Sequence, residues 1–413
     1  MESIKKIFEE RGILKAISNE QKLNNIGSND AIYCGFDPTA KSLHLGNYIQ
    51  IINLLRLKYA GYKVYALVGG ATGMIGDPSF KDAERQLLDS KTLELNKSKI
   101  KAQLEKFDIE VIDNYDFYKN MNFLEFLRDA GKLVNVAYML AKDSVTARIQ
   151  NGLSFTEFSY QLIQGWDFLT LYKEKNVKVQ FGGSDQWGNI TTGLDMINTV
   201  FGNDHKAVAI TANLLTDING NKFGKSTGGG SLWLDPEMTK PYQLYQFLLN
   251  QSDSEVEKLL KWLSHLSVEN IEQIIQQHQA VPQIRLGQRA LAFAVVNDIH
   301  GKDAAQKAGL ISALLFNKDI DLKAIPTADI SDIFDDVPNI ELKANLPLID
   351  QLIELKVIQS KREAREFIQA NAIKFNLENV DNIDFVVNSQ VWQNQYALIH
   401  VGKKKIYLAK ISK

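Results

Sequence analysis

The chain has 413 residues, 45% of them hydrophobic and 23% charged, with a formal net charge of −2. That length exceeds one typical core, and that balance excludes broad disorder and a fibrous class, so two or three globular domains are expected. A single cysteine, Cys34, rules out an intrachain disulfide framework and a cysteine-rich zinc site.

No apolar run reaches membrane-spanning length, and Met1 to Lys6 lacks the apolar stretch of a signal peptide, so a cytoplasmic protein without a membrane partner is expected. Through the first 215 or so residues, short apolar segments alternate with helical ones. The expected strands are Ala31 to Tyr33, Lys63 to Val68, Glu110 to Ile112, Val177 to Phe181 and Ala207 to Thr211. This rhythm predicts an α/β domain, a parallel sheet wrapped by helices, with ligands at the carboxyl ends of the strands.

The chemistry follows those strands. After the first runs Tyr33-Cys34-Gly35-Phe36-Asp37-Pro38-Thr39-Ala40-Lys41-Ser42-Leu43-His44-Leu45-Gly46-Asn47, leading into a helix with Leu45, Ile49, Ile52 and Leu55 on one face. His44 and Gly46 thus open a helix, where free N–H groups suit phosphate and a glycine lets a base or ribose lie against bare backbone. Glycine-rich turns ending in carboxylates follow Val68, at Gly69 to Asp77, and Phe181, at Gly182 to Gln186. Between strands, Asn122 to Arg148 carries an apolar helical pattern: Phe123, Phe126, Leu127, Leu133, Val136 and Met139. Further on, Tyr160, Gln164 and Asp167 are spaced by four and three, which sets them on one helix face. A second glycine-bearing segment, Lys222-Phe223-Gly224-Lys225-Ser226, lies in the loop Gly220 to Gly230.

Residues from about Met238 to Phe316 read as helical. Asn317 to Ala344, with two prolines and seven acidic residues against three lysines, reads as a linker. From Asn345 on, ten Lys and Arg face seven Asp and Glu, a local net of +3, and the basic excess gathers near Lys403, Lys404 and Lys405. A basic tail is usually a solvated face; on an RNA module it becomes a phosphate-contact candidate.

The fifteen-residue run resembles the HIGH segment of class I aminoacyl-tRNA synthetases, in the wording of their bacterial tyrosyl branch, and K-F-G-K-S is similar to the KMSKS loop of that family. Asn47 stands where the family most often has the second histidine of HIGH; a side-chain amide can still donate one hydrogen bond from there. The tail, with Ser360, Lys361, Arg362 and Arg365 at matching positions, resembles the S4-type RNA-binding fold. The resemblance implies a Rossmann-like catalytic domain at 1–237 with a dimer-interface insertion at about 115–150. A helical anticodon-binding domain at 238–318, a linker at 319–344 and an α+β S4-like domain at 345–413 would follow.

It also implies roles. Cys34, Gly35, Asp37, Gly46 and Asp185 would meet ATP, with His44, Asn47 and Thr39 around its phosphates and Lys222 and Lys225 closing over pyrophosphate. Lys81 and Arg85 match further cations near the pyrophosphate, or are solvated helix charges. Tyr33 and Asp167 would bond the tyrosine hydroxyl, Asp77, Tyr160 and Gln164 its ammonium, with Gln186 and Asn114 on the substrate side. RNA would be met by Lys361, Arg362, Arg365, Lys403 and Lys404. ATP as substrate, Mg2+ travelling with it, L-tyrosine, tRNA(Tyr) and a second copy of the chain are the implied partners. The alternatives are a tryptophanyl enzyme, a small-molecule nucleotidylyltransferase and a noncatalytic RNA-binding paralogue.

Overall fold

The computed structural model describes residues 2–79, 87–142, 145–146, 149, 152–216, 223–224, 230–317, 320–389, 391–402 and 405–412. They divide into two compact units, one of residues 1–240 with 247–295, the other of 241–246 with 296–413.

The first unit is built on six strands: β1 (Leu14–Ile17), β2 (Ala31–Phe36), β3 (Lys63–Val68), β4 (Glu110–Asp113), β5 (Val177–Gly183) and β6 (Val208–Ala212). Their order is β1-β6-β5-β2-β3-β4. All neighbours from β4 across to β6 run parallel, and β1 closes the edge antiparallel to β6. β5 and β6 are buried at every residue, as a sheet covered on both faces requires. From β2 the chain proceeds to β3 and β4 on one side and later to β5 and β6 on the other. That reversal opens a crevice at the carboxyl ends of β2 and β5.

Helices α1 (Leu45–Tyr59), α2 (Ser90–Lys106), α3 (Tyr115–Tyr118), α4 (Phe155–Glu174) and α5 (Trp187–Phe201) surround the sheet. α4 and α5 approach closely because glycines lie at their crossing. A Cβ on Gly193 would stand 2.9 Å from Phe168, and one on Gly165 3.1 Å from the Met196 sulfur. In the insertion, Met139 is buried, whereas Phe123, Leu124 and Val136 are 65%, 74% and 60% exposed.

The expected helical domain at 238–318 does not stand alone. Buried Arg56 of α1 donates to the carbonyls of Lys261, Trp262 and Ser264, the end of helix Asp253–Leu263, and Arg11 donates to Lys261, Ser264 and Leu266. Two guanidinium groups thus satisfy that helix terminus, and residues 247–295 belong with the sheet.

The second unit holds strands β7 (Asn339–Lys343), β8 (Ile373–Phe375), β9 (Glu378–Asn379), β10 (Tyr396–Val401) and β11 (Lys405–Ser412), ordered β7-β11-β10-β8-β9. Leu348, Ile349, Leu352, Ala364, Ile373 and Ile399 fill one core. Of the expected linker at 319–344, the described residues 320–344 are packed rather than free, and the last sheet begins before residue 345. Helix Thr327–Ile333 buries Ile330 and Ile333 with Trp392 and Tyr396, and β7 pairs parallel with β11. Its acidic residues Asp329, Asp332, Asp335 and Asp336 are all exposed, so a one-sided helix flank had the composition of a solvated tether.

Candidate active site

A cleft of 270 Å³ lies at the carboxyl ends of β2 and β5. Tyr33, Cys34, Gly35, Asp37, Thr39, His44, Gly46, Asn47, Asp77, Asn114, Tyr160, Gln164, Asp167, Asp185 and Gln186 all line it. Lys81, Arg85, Lys222, Lys225, Lys403 and Lys404 lie outside the described residues.

At one end of the cleft, His44 is the N-cap of α1. Its Nδ1 accepts from the Asn47 backbone N–H at 3.2 Å, and Asn47 Oδ1 accepts from the His44 N–H at 3.1 Å. The bond to Nδ1 puts the proton of a neutral ring on Nε2, which makes that nitrogen a donor. Gly46 is needed here, because a Cβ would stand 2.9 Å from the His44 ring. The Asn47 amide NH2 is not used by this cap, which needs only its oxygen.

The Asp37 carboxylate, on the cleft lining, accepts from Thr72 Oγ1 at 2.7 Å through Oδ1 and from the Tyr160 hydroxyl at 2.8 Å through Oδ2. Gly69 makes this possible, since a Cβ there would fall 2.2 Å from both Asp37 Oδ1 and Thr72 Oγ1. Nearby, Asp77 is 8% exposed and accepts from Gln186 Nε2 at 2.8 Å, from the Ser79 N–H at 3.0 Å and from Asn189 Nδ2 at 3.4 Å.

At the closed end, Asp167 is 1% exposed. Asn114 Nδ2 donates to its Oδ2 at 3.0 Å, and the Tyr118 hydroxyl lies 2.6 Å from its Oδ1. Burial pushes the Asp167 carboxyl up to about 7 against the pull of those two bonds, with Asp37 and Asp113 adding to the rise. The Tyr33 hydroxyl is buried with no hydrogen-bond partner among the described residues. Burial, then the charge of Asp167, holds that phenol well above its ordinary range. Gln164 Oε1 is likewise buried with no hydrogen-bond partner among the described residues. Burial pushes the Cys34 thiol up to about 12, so it lines the cleft as a neutral group.

Thr72, Tyr118 and Asn189 are not legible as site residues from the sequence, because each acts on another side chain. The signals present were a threonine inside the glycine turn after β3 and a tyrosine four residues beyond Asn114.

In the second unit, Ser360 caps helix Lys361–Gln369 through the Glu363 N–H. Lys361 pairs with Asp350 at 2.8 Å and Arg362 with Glu366 at 3.3 Å, while Arg365 is exposed. All three cations lie on the surface of that helix.

A doubly wound sheet with a carboxylate-rich cleft and a histidine-led helix start at its switch point defines an enzyme that binds a nucleotide beside a small polar substrate. The family model for class I tRNA synthetases (W and Y) matches residues 27–317, and that for the tyrosine–tRNA ligase C-terminal domain matches 329–409; the chain belongs to this synthetase family. A tyrosine–tRNA ligase of Mycoplasmopsis synoviae is 55% identical over 404 residues, covering 98% of each chain. That of Mycoplasmopsis agalactiae is 54% identical over 409 residues, covering 99% of each. A C-terminally truncated mitochondrial tyrosyl-tRNA synthetase of Aspergillus nidulans superposes with a TM-score of 0.68 at 30% identity, covering 76% of this chain and 95% of that one.

Proposed function

We infer that this chain is a tyrosine–tRNA ligase: it activates L-tyrosine with ATP to tyrosyl-adenylate and pyrophosphate, then transfers the tyrosyl group to the 3′-terminal adenosine of tRNA(Tyr). The observation that carries the tyrosine reading is the pair at the closed end of the cleft. An unpartnered buried phenol, Tyr33, beside a buried carboxylate, Asp167, wants a ligand that both accepts and donates, and a phenol does both. An indole offers only a donor, which would leave Tyr33 without an acceptor for its proton.

In the first step the tyrosine carboxylate attacks the α-phosphorus of ATP, a bond to oxygen forms, and the bond to the bridging oxygen of pyrophosphate breaks. The nucleophile is already an anion, so the site must supply position and positive charge. His44 Nε2–H and the Asn47 amide are donors toward the phosphates at the start of α1, where the helix dipole also favours negative charge. Thr39 lines the same cleft, and Lys222 and Lys225, with Lys81 and Arg85 as further candidates, bring cations to the departing pyrophosphate. Cys34, Gly35, Gly46 and Asp185 receive the adenosine. The ammonium of tyrosine is met by Asp77, Tyr160 and Gln164, with Gln186 holding Asp77 in place. Mg2+ would arrive on the ATP phosphates, whose hard oxygens and attached waters suit it.

Dimerisation through the insertion is supported by the exposed Phe123, Leu124 and Val136. An RNA role for the second unit is supported by Lys361, Arg362 and Arg365 on one short helix, with Lys403 and Lys404 as further candidates. No helix among the described residues is long and apolar enough to cross a membrane, and the cytoplasm, where tRNA is charged, is the proposed location. Pyrophosphate–ATP exchange with tyrosine, phenylalanine and tryptophan in parallel tests the activity. Exchange driven by tyrosine alone is the expected result; exchange driven equally by tryptophan, or none with tyrosine, would overturn it.

A further inference from the structure

Both oxygens of Asp167 are held before any substrate arrives. Asn114 holds Oδ2, and the Tyr118 hydroxyl holds Oδ1 at the shortest distance in the cluster, 2.6 Å. Tyr118 ends α3, four residues after Asn114, so the two side chains reach Asp167 from one side of the same short segment. Its hydroxyl also lies 2.8 Å from the carbonyl oxygen of Ile163, the residue one helical turn before Asp167 on α4. A phenol has one proton and cannot donate to both oxygens at once. With Asp167 ionised, the bond to the carboxylate is the charge-assisted, stronger one. With Asp167 protonated, the carboxyl can donate to the Tyr118 oxygen while the phenol proton turns to Ile163. One hydrogen rotates and no heavy atom has to move.

We propose that Tyr118 is a positioning residue for amino-acid selection: its hydroxyl pins Oδ1 of Asp167 so that the remaining lone pairs of that carboxylate face the substrate phenol beside Tyr33. The inference rests on Asp167 being the partner of that phenol. An ionised, fixed carboxylate can only accept, so phenylalanine, which brings no donor, leaves it buried and bare. A protonated or swivelling carboxyl tolerates phenylalanine better. Facing Asp167 are the phenols of Tyr33, Tyr118 and Tyr160, the amides of Asn114 and Gln164, and the charges of Asp37 and Asp113. Of these, the bonds from Asn114 and Tyr118 oppose the upward push of burial, while Asp37 and Asp113 add to it.

The test is Tyr118→Phe in the full chain. The change deletes one atom and keeps the ring beside Phe117 and Phe126, so the fold is retained. In pyrophosphate–ATP exchange, KM for tyrosine should rise about tenfold, the size of one lost hydrogen bond to a charged group, with KM for ATP unchanged. The preference for tyrosine over phenylalanine should fall by a similar factor, and the acid limb of the tyrosine profile should move to higher pH. In an Asp167→Asn background the same change should cost nothing further. An unchanged KM and pH profile, or an equal loss in both backgrounds, would overturn the proposal. Wild-type protein that shows no preference for tyrosine would instead refute the reading of the site on which it rests.

Discussion

Tyr33→Phe is the sharpest test of the cleft, because it should move stability and selectivity in opposite directions. The Tyr33 hydroxyl, at the buried end of the cleft, has no hydrogen-bond partner among the described residues. Leaving a buried polar group unbonded costs ~1–3 kcal/mol, and the phenyl ring restores a purely apolar surface at that point. Substrate-free Tyr33→Phe should therefore be more stable than the parent by about that amount. For a unit of this size, about 2 °C accompanies each kcal/mol, so the melting temperature should rise by roughly 2–6 °C. With tyrosine bound, the parent's hydroxyl has found its partner and the gap should close. Selectivity should fall meanwhile: a neutral hydrogen bond contributes ~0.5–1.5 kcal/mol, so the ratio of kcat/KM for tyrosine over phenylalanine should drop between about twofold and about twelvefold. Calorimetry with and without tyrosine, alongside exchange kinetics, measures both. A variant that melts lower than the parent, or one with an unaltered tyrosine to phenylalanine ratio, would refute the reasoning.

Asp167→Asn removes the buried charge itself. The folded-state carboxyl sits at about 7 against an ordinary 3.8, so between those values the folded protein keeps a proton that the unfolded chain has released. The contribution of this group is thus greatest below about pH 4 and is lost as pH rises through about 7, by up to ~4 kcal/mol. Relative to the parent, the asparagine variant should gain stability over that window, and denaturant melts at several pH values would detect a flat difference if the assignment were wrong. Replacing Lys361, Arg362 and Arg365 together by Ala should raise KM for tRNA and flatten its salt dependence while exchange stays normal; unaltered charging would remove this helix from the RNA surface. Phe123→Ser with Leu124→Ser should yield a monomer by sedimentation, and a persisting dimer would place the interface elsewhere.

Strand positions β2, β3, β5 and β6 were legible because buried parallel strands read as short apolar runs between helical ones, whereas β4, at the sheet edge and with no residue fully buried, showed only through its short Val111-Ile112 pair. β1 was not, since Leu14-Lys15-Ala16-Ile17 is four residues long and owes its strand state to pairing with β6. Within the cleft, residues tied to a motif were legible: His44, Gly46 and Asn47 announce a helix start, and Tyr160, Gln164 and Asp167 announce a shared face. Thr72, Tyr118 and Asn189 were hidden because they serve carboxylates that lie far away along the chain. The tail's packed region begins earlier than its composition implies, for a related reason. Acidic residues facing water are interleaved with the inward isoleucines and leucines that pack 320–344 into the second unit.

The reciprocal lock between His44 and Asn47 uses only one end of the side chain at position 47. Its oxygen fastens the first turn of α1, leaving the amide hydrogens for whatever enters the cleft. A histidine placed there would have to surrender or reinvent that fastening before it could offer a ring nitrogen to a ligand. Turnover lost on swapping the residue would consequently mix a loosened helix entrance with a missing contact, and only a melting curve taken beside the kinetics would separate the two.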